Sequence, residues 1–182
     1  MPIGSFTTIP VIAFELSERK PKSVLDLGIG FGMWGAAVRE WVDMGVSPYK
    51  TLLHGVEGFH EYYSPLWKLY NRVHNGLIQD FEPKQKYEFI IFADVLEHFP
   101  QEQGAEVLEK IKTWLTPGGV LMVATPGLFV AQENVYGNEL ERHLSLWLPK
   151  DLQAHGFEIL RDETPDKYGH MMVIGMYVNP VF

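Results

Sequence analysis

Residues 23–32 read Ser-Val-Leu-Asp-Leu-Gly-Ile-Gly-Phe-Gly, and this stretch decides the fold of the chain. Its first half is a short apolar run without polar alternation, which predicts a buried strand of a parallel sheet. Three alternating glycines follow, Gly28, Gly30 and Gly32. Glycine adopts backbone angles closed to other residues and lets a ligand approach the main chain. A helix beginning near Met33 would direct its N-terminal amides to the same place, so the stretch predicts a ligand-binding turn.

Strands and helices alternate through most of the chain, which predicts a parallel sheet with right-handed crossovers. After the strand at 23–27, strands are predicted at 51–56, 87–93, 120–124, 157–161 and 171–178, and residues 76–81 are predicted to be a third strand or its exit. Helices are predicted at 33–44, 60–73, 101–115 and 149–155. Only nine residues, Asp162 to His170, join the last two strands. A helical crossover needs roughly a dozen residues, so this pair is expected to be antiparallel. The expected fold class is α/β, a Rossmann-like three-layer sandwich around a seven-stranded, mostly parallel sheet with one antiparallel strand.

Composition narrows the class of protein. The 182 residues are 46% hydrophobic and 21% charged, with a formal net charge of −8 and no cysteine. These values are ordinary for a single globular domain, which is taken here to span residues 1–182. The acidic balance disfavours nucleic acid as a partner, and no apolar run approaches the roughly 20 residues of a membrane span. A cytoplasmic location is expected. Residues 1–20 are expected either to cover the ligand pocket, to contact a second subunit, or to pack as an ordinary first helix.

The glycine turn fits two kinds of cofactor. Residues 30–35, Gly-Phe-Gly-Met-Trp-Gly, satisfy the dinucleotide pattern G-x-G-x-x-G, and Glu57 follows at a suitable distance to bind a ribose. This favours an NAD(P)-dependent oxidoreductase. Two observations argue against an oxidoreductase. The first is that the dinucleotide pattern begins two residues after the end of the strand, so Gly28 is not part of it. Asp26 also needs an explanation, because a carboxylate in an apolar strand requires a partner such as a ligand amine or backbone amides.

Residues 24–32 resemble the first motif of class I S-adenosylmethionine-dependent methyltransferases, hydrophobic-hydrophobic-(Asp/Glu)-x-Gly-x-Gly-x-Gly. The resemblance continues to about residue 178. It is carried by Val56-Glu57 after the second strand, Asp80-Phe81 near the third, Ile91-Phe92-Ala93-Asp94-Val95-Leu96-Glu97-His98 at the fourth, and Leu115-Thr116-Pro117-Gly118-Gly119-Val120-Leu121 before the fifth. The implied cofactor is S-adenosylmethionine.

The resemblance also implies which residues contact that cofactor. Glu57, followed by Gly58, would accept hydrogen bonds from the ribose hydroxyls, since charged acceptors make the stronger bonds. Asp80 would accept the adenine amino group, with Phe81 and Phe59 packing on the ring. The remaining cofactor-binding candidates are Asp26, Gly28, Gly30, Gly32, Ala93 and Asp94.

The acceptor side is less defined by the sequence. Methyl transfer to a hydroxyl requires a base, and histidine is the natural base near neutral pH. His98, His143 and Glu97 are the catalytic candidates. The same residues with Asp94 resemble a cluster that holds a divalent metal in small-RNA and quinone O-methyltransferases, and mixed carboxylate and imidazole ligands suit zinc or a harder ion. Whether a metal binds stays open at this point.

The predicted function is methyl transfer to a small or medium-sized acceptor, with O-methylation slightly favoured by the histidines. The fourth-strand motif, Ala93-Asp94-Val95-Leu96, lacks the Asn-Pro-Pro-aromatic run of adenine and glutamine N-methyltransferases. Two alternatives stay open: the NAD(P)-dependent oxidoreductase, and a non-catalytic, cofactor-binding accessory protein. The oligomeric state is not determined by the sequence.

Overall fold

The structure, a computed structural model, describes residues 4–162 and 172–181. The strands are β1 (Ser23–Leu27), β2 (Leu52–Glu57), β3 (Arg72–Asn75), β4 (Tyr87–Ala93), β5 (Leu115–Pro126), β6 (Glu158–Asp162) and β7 (Met172–Val178). The α-helices are α1 (Ile9–Arg19), α2 (Met33–Trp41), α3 (Gln101–Lys112) and α4 (Pro149–Ala154). Short 3-10 turns cover His60–Tyr62, Pro65–Leu69, Ile78–Asp80, Leu96–His98 and Glu139–Glu141.

The seven strands form one sheet in the order β3-β2-β1-β4-β5-β7-β6. β7 is antiparallel to both β5 and β6, and the other neighbouring pairs are parallel. The predicted mostly parallel sheet with one antiparallel strand is therefore confirmed. The connection between β6 and β7, residues 163–171, lies outside the described residues. The insertion of an antiparallel strand between β5 and β6 also departs from the dinucleotide-binding strand order 3-2-1-4-5-6.

Helices cover both faces of the sheet, which confirms the three-layer sandwich. On one face, α1 and α2 bury residues spaced three or four apart, among them Ile12, Leu16, Trp34 and Val38. On the other face, α3 and α4 bury side chains such as Leu108. The spacing places these side chains on one stripe of each helix, which is the pattern that drives a helix onto a sheet.

The predicted helix at 60–73 is wrong, whereas residues 76–81, predicted as a third strand or its exit, are the exit from that strand. Pro65 lacks an N–H and its ring clashes with a preceding carbonyl, so a continuous helix cannot pass through it. The segment instead forms two 3-10 turns, the second capped by the Ser64 hydroxyl, which accepts from the Leu66 N–H at 3.1 Å. The chain then pairs with β2 at once as β3, and residues 78–80 form the turn that follows the strand.

The other predicted elements are present with shifted ends. α2 ends at Trp41 rather than at residue 44, and β5 begins at Leu115 because Leu115 already pairs with Tyr87 ahead of a register shift. Within residues 4–162 and 172–181, no helix combines the length and the apolar character needed to cross a bilayer.

Candidate active site

A cavity of about 360 Å³ opens at the carboxyl ends of β1, β2 and β4. Ligands bind at this edge in open α/β sheets. Seven of the predicted site residues line it: Gly28, Gly30, Glu57, Gly58, Ala93, Asp94 and His98. The predicted residues that do not line it are Asp26, Gly32, Phe59, Asp80, Phe81, Glu97 and His143.

The glycine turn has the backbone that its sequence predicts. Gly28, Gly30 and Gly32 have φ angles of 76°, 50° and 91°, a region that strongly favours glycine. A Cβ on Gly28 would lie 2.5 Å from Cγ2 of Val95, so a side chain there has no room. Gly32 serves a different purpose, since it lies under Leu66 in the second 3-10 turn and not at the cavity wall.

Glu57 connects the glycine turn to the end of β2. Its Oε2 accepts from the Gly30 N–H at 2.8 Å and its Oε1 accepts from the Phe59 N–H at 2.9 Å. Burial raises the pKa of Glu57, and the two backbone bonds act in the opposite direction. A buried carboxylate held from two sides faces the cavity with a fixed orientation, and this suits an acceptor of hydroxyl hydrogen bonds.

Asp26 lies behind the glycine turn rather than in the cavity. It is 1% exposed, and its Oδ2 accepts from the Tyr70 hydroxyl at 2.5 Å. Its Oδ1 has no hydrogen-bond partner among the described residues. Among the described residues, the hydrogen-bond partner of this carboxyl group is therefore the tyrosine that directly follows the second 3-10 turn.

The residues predicted to contact the adenine do not line the cavity. Asp80 is exposed, and Phe81 packs edge-on against Trp114 with ring centroids 5.5 Å apart. Phe59 packs on Tyr62 at 4.9 Å and does not line the cavity. The cavity is instead lined here by the residues just before Asp80, namely Leu77, Ile78 and Gln79. The 3-10 turn at 78–80 has about three residues per turn, so neighbouring side chains point in different directions.

Asp94 lies at the cavity wall directly after β4. Its backbone has a φ of 55°, and its Oδ2 accepts from the Ser5 N–H at 3.1 Å. Burial raises the pKa of Asp94 to about 6. Gly4 also lines the cavity, so the segment ahead of α1 reaches the site.

Glu97, His98 and His143 come together beside the cavity, and one ligand atom from each lies within 4.8 Å of the other two. His98 Nδ1 lies 3.0 Å from the Arg142 carbonyl oxygen, and His143 Nδ1 lies 2.7 Å from the Val130 carbonyl oxygen. A carbonyl oxygen only accepts, so both Nδ1 atoms carry the proton and both Nε2 atoms keep a lone pair.

Two effects of burial act on this cluster. Burial lowers the pKa of His98 and of His143, so both imidazoles are neutral near pH 7. Glu97 is 3% exposed, and its Oε2 accepts from the Thr125 hydroxyl at 3.0 Å. Burial and the neighbouring Asp94 raise the pKa of Glu97 to about 8.

The cavity is also lined by polar residues that the sequence did not indicate, and three of them, Tyr62, Asn138 and Glu141, are hydrogen-bonded to one another. The Tyr62 hydroxyl donates to Glu141 Oε1 at 2.9 Å and accepts from Asn138 Nδ2 at 3.2 Å. Asn138 and Glu141 belong to the irregular segment at 128–148, whose weak periodicity gives no signal of which side chains turn inward. Tyr62 lies in the segment predicted as a helix.

Residues 9–161 match the family described as "Methyltransferase domain". The chain belongs to this methyltransferase family. The resemblance of its motifs to class I S-adenosylmethionine-dependent methyltransferases is thereby confirmed, and S-adenosylmethionine is the cofactor of that family. A comparison with curated protein sequences gives no match.

Solved methyltransferase structures share the fold at low sequence identity. One is the 1,6-didemethyltoxoflavin-N1-methyltransferase of Burkholderia thailandensis, with a TM-score of 0.71, 16% identity, and coverage of 97% of this chain and 79% of that one. Another is the N-methyltransferase NodS of Bradyrhizobium japonicum, with a TM-score of 0.64, 12% identity and 94% coverage of both chains. The magnesium protoporphyrin IX methyltransferase of Synechocystis has a TM-score of 0.64, 15% identity, and coverage of 95% and 78%. The family match and the strand order together disfavour the nicotinamide-dependent oxidoreductase.

The buried Asp26 of this methyltransferase gives a prediction about stability and pH. Burial raises the pKa of Asp26 to about 7, whereas the unfolded chain has the ordinary value near 3.8. The folded state therefore holds an extra proton between these values, and its stability falls as pH rises from about 4 to about 7. The cost above pH 7 is about 4 kcal/mol at about 1.4 kcal/mol per pKa unit. Asp26→Asn stays neutral and keeps an acceptor for Tyr70.

We therefore expect the free energy of unfolding of Asp26→Asn, relative to the unmodified protein, to increase with pH across this window. Urea denaturation of the ligand-free protein between pH 5 and pH 8 measures it. Tyr70→Phe is a second test, because it removes the bond that lowers the pKa of Asp26 and should extend the fall in stability to higher pH. Parallel stability curves for the unmodified protein and Asp26→Asn would contradict the raised pKa.

Proposed function

We propose that this methyltransferase transfers a methyl group to a small or medium-sized acceptor and that the methylated atom is an oxygen. The observation that carries the proposal is His98, which lines the cavity with a lone pair on Nε2 and a fixed proton on Nδ1. An O-methyltransferase needs such a group to take the hydroxyl proton.

The glycine side of the cavity is the part that would hold S-adenosylmethionine. Gly28 and Gly30 line the cavity and leave the main chain open to close approach, and a Cβ on Gly28 would lie 2.5 Å from Cγ2 of Val95. Glu57 would accept from the ribose hydroxyls, and the residues at 77–79 would contact the adenine. Asp94 would face the amino-acid end of the cofactor. The cofactor supplies a methyl group on a positively charged sulfur.

His98 acts on the acceptor. Burial keeps its imidazole neutral, so Nε2 accepts the hydroxyl proton as the new oxygen–carbon bond forms and the sulfur–carbon bond breaks. Glu97 contributes by position, since its backbone carbonyl accepts from the Leu144 N–H at 2.8 Å and from the Ser145 N–H at 3.1 Å. These bonds tie the segment that carries His143 to the end of β4.

A divalent cation is the second candidate for the same cluster. The ligand atoms of Glu97, His98 and His143 lie close enough to share an ion. Each histidine donates its other ring N–H to a backbone carbonyl, which is the usual arrangement around metal-bound histidines. Asp94 is not part of this three-residue group.

The size of the acceptor is supported by the cavity and by the neighbours. The cavity that would hold both the cofactor and the acceptor has a volume of about 360 Å³, near the lower end of the range of about 300–1,000 Å³ for small-molecule pockets. The Burkholderia structure holds 1,6-didemethyltoxoflavin with S-adenosylhomocysteine. The Synechocystis enzyme is named for magnesium protoporphyrin IX and was crystallised with S-adenosylmethionine.

Calorimetry with S-adenosylhomocysteine tests the cofactor assignment. We expect Glu57→Gln to weaken binding about 10–100-fold, because hydrogen bonds to a charged group contribute about 1.5–3 kcal/mol. Glu61→Gln is the matched control, since Glu61 is exposed in the next turn and does not line the cavity. No binding by the unmodified protein would overturn the proposal, and equal binding by Glu57→Gln would remove only the ribose assignment.

A further inference from the structure

Gly58 follows Glu57 at the carboxyl end of β2 and lines the cavity. Its φ angle is not positive, so its backbone conformation does not require glycine. The space around it does, because a Cβ on Gly58 would lie 2.7 Å from Cδ1 of Leu140 and 3.2 Å from Cδ2 of Leu77. The side chain of Leu140 therefore occupies the place where a side chain of residue 58 would begin.

Leu140 reaches Gly58 from a distant part of the chain, the 3-10 turn Glu139–Glu141. The part of the cavity formed by Glu57, Gly58 and residues 77–79, where the nucleoside of the cofactor would lie, is called the nucleoside subsite below. Leu140 borders this subsite, because it lines the cavity and lies next to both Gly58 and Leu77. Leu140 is also 45% exposed, so its side chain lies between the nucleoside subsite and the solvent.

Hydrogen bonds to the Tyr62 hydroxyl fix the turn that carries Leu140. Asn138 Oδ1 accepts from the Leu140 N–H at 3.0 Å, and Asn138 Nδ2 donates to the Tyr62 hydroxyl at 3.2 Å. The same hydroxyl donates to Glu141 Oε1 at 2.9 Å. Tyr62 and Asn138 are buried, and hydrogen bonds shielded from water are stronger than exposed ones. The hydroxyl therefore holds residues on both sides of Leu140.

We propose that Leu140 is the cover of the nucleoside subsite and that the Tyr62 hydroxyl positions it through Asn138. The adenosine part of the cofactor packs against the side of Leu140 that faces the cavity, and this contact removes apolar surface of both from water. The cofactor can then enter or leave only when the turn moves, as with other loops that close over a ligand. This inference rests on the proposed function and adds a residue that contacts its cofactor.

Leu140→Ala tests the contact, and Leu144→Ala is its matched control. Leu144 also lines the cavity and is 50% exposed, but it lies at the end of β4, where its N–H donates to the Glu97 carbonyl at 2.8 Å. Calorimetry with S-adenosylhomocysteine, and with 5′-methylthioadenosine, which shares its nucleoside, gives the affinities. We expect Leu140→Ala to weaken the binding of both ligands about tenfold, and Leu144→Ala to weaken neither by more than about twofold.

Tyr62→Phe tests the positioning role. It keeps the ring, which packs edge-on against Phe31 and Phe59, and removes the hydroxyl. We expect the dissociation rate of S-adenosylhomocysteine, followed by stopped-flow tryptophan fluorescence, to rise several-fold in the unmodified background and to stay nearly constant in Leu140→Ala protein. A hydroxyl that only supports the fold or only contacts the ligand would act equally in both backgrounds. Tyr63→Phe, the same change at an exposed neighbour outside the cavity, should leave the rate unchanged.

Equal affinities of Leu140→Ala and the unmodified protein for both ligands overturn the inference, and so does an equal loss of affinity in Leu144→Ala. Equal effects of Tyr62→Phe in the two backgrounds overturn the positioning role. Should Leu140→Ala not fold, Gly58→Ala decides, because its Cβ displaces Leu140 and should weaken the binding of both ligands. Failure of the unmodified protein to bind S-adenosylhomocysteine would instead count against the proposed function, so the two failures are distinguishable.

Discussion

Replacing His98 with glutamine is expected to lower the turnover number about 10²–10⁴-fold, the range over which a positioned general base accelerates proton transfer. Glutamine can still donate to the Arg142 carbonyl but cannot accept a proton at neutral pH. The affinity for S-adenosylhomocysteine should change by less than about threefold, because the loss concerns the transition state. The measurement is S-adenosylhomocysteine formation with the best acceptor from a panel of neutral aromatic hydroxyl compounds.

His155→Gln is the control for this prediction. His155 bonds to Glu109 at 2.8 Å and does not line the cavity, so its loss should leave turnover unchanged. Running the assay with EDTA distinguishes a role of His98 as the general base from a role of the cluster Glu97, His98 and His143 as a metal site. Turnover that persists in EDTA supports His98 as the base, whereas turnover lost in EDTA and restored by zinc or magnesium assigns the cluster to a metal. Unchanged turnover in His98→Gln contradicts both roles.

The sequence predicts those parts of the site whose conformation is determined by residues close to them in the chain. The glycine turn and Glu57 were predictable because a strand that ends in alternating glycines determines its own backbone, and the next parallel strand ends at the same edge. Asp94 and His98 were placed at the cavity for the same reason. The sheet class followed from the order of strands and from the short connection between the last two.

The features that the sequence does not predict are those that tertiary contacts determine. Asp26 satisfies the acidic position of the motif, yet its partner is Tyr70, 44 positions away, and no local pattern encodes that bond. The region at 60–81 carries apolar residues at helical spacing, but Pro65 interrupts the helix. Residues 72–75 then pair with β2 as the strand β3. Glu141 reaches the cavity from an irregular segment whose path is set by hydrogen bonds to the end of β4.

Replacing Gly28 with alanine is expected to lower both the stability of the protein and its affinity for the cofactor. Gly28→Ala places a side chain in a left-handed conformation, which costs about 1–2 kcal/mol, and brings its Cβ within 2.5 Å of Val95 Cγ2. Overpacking adds about 1–3 kcal/mol. We expect the free energy of unfolding to fall by about 2–5 kcal/mol, and the affinity for S-adenosylhomocysteine to fall at least about 100-fold, because the turn must shift where the cofactor approaches it.

Gly156→Ala is a matched control for that substitution. Gly156 has a φ of 78° against 76° for Gly28, but a Cβ there would meet Tyr177 only at an ordinary 3.7 Å. It should lose about 1–2 kcal/mol of stability and no affinity for the cofactor. Adding Val95→Ala to Gly28→Ala removes the clash and leaves the backbone strain, so it should restore part of both losses. If Gly28→Ala binds S-adenosylhomocysteine as the unmodified protein does, the close approach of the cofactor to this turn is refuted, and the stability loss alone would mark Gly28 as a packing residue.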